Sequence, residues 1–193
     1  MSALDGKPMV EVYSRDAWRS WLEANHATSS GVWMVTARAR KGIAAALEYE
    51  AAVEEALCFG WVDSTAGVID DERGKIYFAP RKAKSPWAAS NKARVERLIR
   101  DGQMRPAGLA VIEQAKANGY WTILDGPERL EVPDDLAAAL AAAPGASASF
   151  AAWPASVRKQ QLAHIAYAMR PETREARIAK VVEFARRNER PPS

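Results

Sequence analysis

Apolar and polar positions alternate from Met9 to Tyr13, the period of a half-buried β-strand. Ser14 then stands where a helix N-cap is expected, and Trp18, Trp21 and Leu22 recur behind it at helical spacing. Two indoles three residues apart mark a stripe that faces a core. A second strand is expected over Val32–Thr36 after Gly31, and Arg38 to Gly42 reads as a basic turn. Tyr49 to Leu57 has the pattern of a helix, with Gly60 placed for a left-handed C-terminal cap. The runs Trp61–Ile69 and Lys75–Phe78, separated by the polar stretch Asp70-Asp71-Glu72-Arg73-Gly74, predict a β-hairpin. About four strands result, with helices alternating among them.

The next helix carries its own punctuation: Ser85 as N-cap, Pro86 as first helical residue and Gly102 just past the end. Pro106 opens another helix, with Leu109, Ile112 and Ala115 on one face. Tyr120–Ile123 is a short aromatic segment and Asp125-Gly126-Pro127 a turn. A domain boundary at that turn gives an α+β domain over residues 1–125 and a helical region over 126–193. In the latter, Pro133-Asp134-Asp135-Leu136 starts an Ala-rich helix that stops at Pro144-Gly145, and a short helix runs through Phe150. Residues 155–169 place Leu162, Ile165 and Met169 on one stripe. A last helix from Pro171 turns Ile178, Val181, Val182 and Ala185 inward. The expected fold class is α+β: a small, mainly antiparallel sheet with flanking helices, plus a helical carboxyl-terminal region.

Composition narrows the class. The 193 residues are 48% hydrophobic and 26% charged, as in an ordinary globular protein. A single cysteine, Cys58, excludes an internal disulfide and a cysteine-based metal cluster. No apolar stretch approaches the roughly 20 residues that cross a bilayer. The amino terminus has no basic segment leading into an apolar run, so the expected location is cytoplasmic. The net charge of +3 hides a block pattern. Residues 46–72 hold eight acids and no Lys or Arg, and residues 73–105 hold ten bases against Glu96 and Asp101. Residues 106–155 are acidic again and 156–193 basic. Such blocks pair internally or present a basic face to an anion.

The sequence has no HExxH, P-loop, GxGxxG or GxSxG motif, and neither His26 nor His164 has a ligand-spaced partner, so no cofactor or metal is expected. His164 reads as a packed or half-exposed side chain, and Cys58 as a buried thiol. Arg174 and Arg177 are expected to reach back to an acidic neighbour. Asp63 shares a strand face with Trp61, and a carboxylate there needs a partner. It is either an ion pair with Arg81 or Lys82 that fixes register, or a ligand acceptor at the mouth of a pocket. Arg81, Lys82 and Lys84 precede a helix N-terminus, where cations are disfavoured unless an anion joins them. Asn91 projects toward the interior side of its helix and needs hydrogen-bond partners, from the protein or from a ligand.

Trp61, Asp63, Arg81, Ser85, Trp87 and Asn91 are therefore the candidate lining of a site for a small anionic ligand. The indoles would cover its apolar body, while Arg81 and the helix N-terminus take its negative group. Two other readings stand beside this one. Nucleic acid could bind the basic segments 73–105 and 156–193, with a steep salt dependence. Alternatively, an enzyme would use Asp63 as general base and Arg81 to stabilise developing charge.

The same residues carry a family resemblance. Leu57-Cys58-Phe59-Gly60-Trp61-Val62-Asp63-Ser64, Pro80-Arg81, Ser85-x-Trp87-x3-Asn91 and Gly102-x-Met104-x-Pro106-Ala107-Gly108 resemble the YdeI/OmpD-associated, or bacteriocin-protection, family of bacterial proteins. So do Pro133-Asp134-Asp135-Leu136-x3-Leu140 and Arg170-Pro171-Glu172-Thr173-Arg174-x2-Arg177-Ile178. The chain departs from the pattern at Ala88, where the family often has Ser, and at Met169, where Lys is common. His164 stands at a position that is frequently aromatic, which fits a core role. The resemblance implies a small intracellular protein linked to tolerance of bacteriocins or cationic peptides, and it brings no reaction or catalytic residues with it.

Overall fold

Strand β1 (Met9–Glu11) runs parallel to β2 (Val32–Ala37), and the chain between them forms α1 (Arg15–Asn25). Ser14 caps α1 as its position suggests: its hydroxyl accepts the Ala17 N–H at 3.1 Å. After α2 (Tyr49–Cys58), strands β3 (Trp61–Val68) and β4 (Arg73–Pro80) form the hairpin. β4 lies between β3 and β2 and is antiparallel to both, so the sheet order is β1-β2-β4-β3. The fold class is α+β. Five of the six residues of β2 are buried, as befits a strand with neighbours on both sides. The computed structural model describes residue 4 and residues 6–39 and 46–191. The basic turn expected at Arg38–Gly42 therefore falls largely outside the described residues.

Contacts divide the chain into two units, Met1–Ser85 with Ser90–Asn118, and Pro86–Ala89 with Gly119–Ser193. The first is built on aromatic packing. Trp18 stacks on Trp21 at 5.3 Å and meets Phe78 at 5.2 Å, and Trp21 meets Trp61 edge-on at 5.8 Å. Each large apolar side chain buried there contributes about 1.5–3 kcal/mol. α2 ends as its sequence predicts, with Gly60 at φ +76° and its N–H on the Leu57 carbonyl.

Helix α3 (Ala89–Arg100) starts three residues later than the Ser-Pro signal indicates, so Ser85 is not its N-cap. Tertiary packing overrides the local signal. Trp87 is 1% exposed and its ring lies 5.0 Å from Trp121 within the second unit. In that unit, too, the Ala89 N–H donates to both oxygens of Glu128, at 2.9 and 3.2 Å. In α4 (Pro106–Ala117) the buried face is Gly108, Ile112 and Ala115, whereas Leu109 is 40% exposed. The stripe is displaced because Gly108 lies against the Cys58 backbone.

In the second unit the expected turn at Asp125 is a short helix, α5 (Asp125–Glu128). It is followed by α6 (Asp134–Ala142), α7 (Ala146–Ala152), α8 (Ala155–Ala166) and α9 (Pro171–Arg186). Leu136, Leu140, Phe150, Trp153, Leu162, Ile165, Ile178, Val181 and Ala185 form its core. α8 stops at Ala166, which leaves Met169 exposed instead of on the stripe, and Val182 is only half-buried. His164 is exposed rather than packed into the core. No helix among the described residues is long and apolar enough to cross a membrane.

Arg174 reaches Asp135 as expected, at 2.6 and 2.9 Å, while Arg177 bonds the His164 carbonyl and not an acid. The Arg174 hydrogen bond, helped by the Leu136 N–H, holds the Asp135 carboxyl below its ordinary value. A depressed carboxyl stabilises the fold above its unfolded pKa, and that stabilisation is lost as pH falls through the folded one. Between about pH 5 and pH 2 the protein should therefore lose more stability than its Asp135→Asn variant, measured as urea midpoints across the range.

Candidate functional site

Asp63 sits half-buried on β3, paired in register with Phe78. The strand register shifts between Asp63 and Thr65. The carboxylate accepts a hydrogen bond from the Tyr49 hydroxyl at 2.7 Å. Burial, and then this bond, push the Tyr49 phenol up to about 12, so it remains a neutral donor through the physiological range. Tyr49 is itself 51% exposed, which keeps this side of the pair in contact with water.

Arg81 lies just past the last hairpin pair, Trp61 with Pro80, and not across from Asp63. Its N–H donates to the Gly60 carbonyl at 2.9 Å, which fixes the chain as it leaves the sheet. The residue is 9% exposed. Burial pulls the guanidinium down to about 10, against the opposing attraction of Asp63. The two groups are thus within electrostatic reach of each other.

Asn91, half-buried in the first turn of α3, accepts from Arg94 at 2.9 Å through its side-chain oxygen. Arg94 also grips Glu50 at 2.9 and 2.6 Å. Its hydrogen bond to Glu50 is the main influence raising its pKa, and Asp63 adds to it. Hydrogen bonds thus join Asp63 to Tyr49, and Asn91 through Arg94 to Glu50, while Arg81 and Arg94 both feel the charge of Asp63. Ser85 is half-buried in the following turn, with its N–H on the Lys82 carbonyl at 2.9 Å. Trp61 is 1% exposed and donates to the His26 carbonyl at 3.3 Å. Trp87 lies in the second unit.

Sequence reasoning missed Tyr49, Glu50 and Arg94. It also missed a second network, in which Glu54 and Glu55 of α2 are both buried. Arg15 and Arg19 bind Glu55, Arg15 also reaches Glu54 at 3.0 Å, and Arg97 pairs with Glu54. A signal was present: two adjacent acids inside an apolar helical pattern, and arginines four residues apart on α1. Arg94 and Arg97, from the basic block, thus answer acids of the preceding block. Burial pushes the Cys58 thiol up, away from thiolate chemistry. No group of three or more His, Cys, Asp or Glu among the described residues could hold a metal ion.

Residues 10–111, more than half of the chain, match the family model described as a domain of unknown function (DUF8412). The chain belongs to this family. The DUF8412 segment contains Tyr49, Asp63, Arg81, Asn91 and Arg94, together with the motifs from Leu57 to Gly108. Residues 129–188 match a second family model, described as bacteriocin-protection, YdeI or OmpD-associated. The Pro133 and Arg170 motifs fall inside that match. No curated protein and no solved structure matches the chain.

Proposed function

We propose that the protein is a bacteriocin-protection-like protein that binds a small anionic ligand in its DUF8412 segment. Arg81 would be the anion acceptor, with Asp63, Tyr49, Arg94 and Asn91 around it. The observation that carries this reading is the burial of Arg81, a guanidinium 9% exposed where the chain leaves the sheet and within electrostatic reach of Asp63. A desolvated guanidinium gains more from a carboxylate or phosphate than an exposed one does, because each charge-assisted hydrogen bond then forms in a low dielectric. Asp63 and Tyr49 would set orientation: the carboxylate accepts from a ligand hydroxyl or amide, and the phenol donates. Trp61 backs the site from the core, and Ser85 and Trp87 take no direct part. A cytoplasmic setting goes with the free, buried Cys58.

Thermal shift against inorganic phosphate, sulfate and a panel of carboxylate and phosphate metabolites tests this. A ligand present at 100 times its Kd adds about 2.7 kcal/mol, a rise of several degrees. The rise should disappear in Arg81→Ala and shrink in Arg81→Lys, which keeps the charge but loses the fork geometry. Tyr49→Phe, at an exposed position, should weaken binding without threatening the fold. If no anion shifts the melting temperature, or if Arg81→Lys and Tyr49→Phe bind as the parent does, the reading is wrong.

A further inference from the structure

A second set of polar groups, independent of Arg81, lies in the carboxyl-terminal unit. Gln160, Gln161 and His164 fall on one face of α8, and Arg177, Lys180 and Phe184 on one face of α9. Together they border a hollow of about 230 Å³ with no acidic side chain in its lining. Arg177 is held in place by its hydrogen bond to the His164 carbonyl in the last turn of α8. That bond caps a helix end, where a cation is favoured. It does not account for Lys180 or the imidazole of His164, whose side chains have no hydrogen-bonded or ion-paired partner among the described residues.

We propose that this hollow binds a small phosphate monoester, with the phosphoryl group between Arg177, Lys180 and His164 and its apolar group against Phe184. Arg177 offers the planar fork that suits phosphate oxygens, and Lys180 a point charge beside it. The volume is below the roughly 300–1,000 Å³ usual for drug-sized ligands, which favours a compact ester. Burial, then Arg177 and Lys180, hold the His164 imidazole below its ordinary pKa. α8 contributes only Gln160 and Gln161 beside it, and the tail contributes Pro191, so no other titratable group lines the hollow. A bound dianion would offset the two cations and raise the imidazole pKa. By linkage, an oxyanion that stays dianionic then binds more tightly as pH falls through the His164 range.

The chain has two histidines, so NMR reads His164 directly once a His164→Gln spectrum assigns it. Its titration midpoint would be followed against inorganic phosphate, phenyl phosphate and, as a dianion that does not titrate in this range, sulfate. Sodium chloride at matched ionic strength supplies the control. A saturable upward shift with all three oxyanions is expected, half-saturated at lower concentration by phenyl phosphate than by inorganic phosphate. Lys180→Gln, at an exposed position, should raise the half-saturating concentration about tenfold. A shift no larger than chloride gives would overturn the site, as would a Lys180→Gln variant that saturates like the parent. Equal affinity for inorganic and phenyl phosphate would overturn the ester assignment. Because the signal belongs to His164, failure here is distinct from failure at Arg81.

Discussion

Glu55→Ala will lower the urea unfolding midpoint sharply, with a stability loss of about 3–5 kcal/mol. Glu55 is 2% exposed, and its two oxygens take Arg15 at 2.6 Å and Arg19 at 2.5 Å. Arg19 is further fixed by the Gln103 carbonyl at 3.0 Å and lies 5.7 Å from the Phe59 ring centre. Arg19 cannot swing freely into water when the carboxylate goes, whereas Arg15 is more exposed and keeps Glu54 at 3.0 Å. The substitution therefore leaves a partly desolvated Arg19 without its carboxylate, which costs more than the pair itself contributed. Glu55→Gln keeps the shape and one acceptor and should lose less. Glu183→Ala, which breaks the exposed pair with Arg187, should change stability little. Urea denaturation followed by circular dichroism distinguishes these outcomes. Equal losses for Glu55→Ala and Glu183→Ala would mean that burial of the pair is unimportant.

Gly108→Ala should destabilise the protein by about 1–3 kcal/mol, although alanine is the better helix former by about 1 kcal/mol. A Cβ at this position would stand 2.4 Å from the Cys58 carbonyl oxygen and 2.8 Å from its carbon. It would also stand 2.7 Å from the end of the Met104 side chain, which can move aside. The Cys58 backbone cannot, because its oxygen already accepts the Arg105 N–H at 3.1 Å. α4 must then shift away from α2. Melting temperature measures the result directly; a rise on Gly108→Ala would show that propensity, not contact, governs this site.

The elements were legible wherever the signal that defines them is local. Ser14 caps α1 through a residue three positions away, and Gly60 turns the chain within its own helix end. Legibility failed where distant residues decide. The start of α3 follows the burial of Trp87 against Trp121, and the end of α8 removes Met169 from its stripe. The candidate site divides the same way. Asp63, Arg81 and Asn91 stood out because each is polar in an apolar context. Their partners did not, since Tyr49 is 14 residues from Asp63 and Glu50 is 44 from Arg94. The indoles of Trp61 and Trp87 looked like ligand covers in sequence, yet Trp61 meets Trp21 and Trp87 meets Trp121.

The sheet order also shapes how the chain is made. Val32 on β2 pairs with Phe78 on β4, 46 positions downstream. At about 5–20 residues per second, a ribosome needs about 2–9 seconds to supply that partner. Meanwhile the nascent segment Val32-Trp33-Met34-Val35 has β1 on one side but lacks β4, its antiparallel neighbour on the other. Its synthesis therefore passes through an interval in which a sticky, half-sheltered strand depends on provisional collapse or on a chaperone.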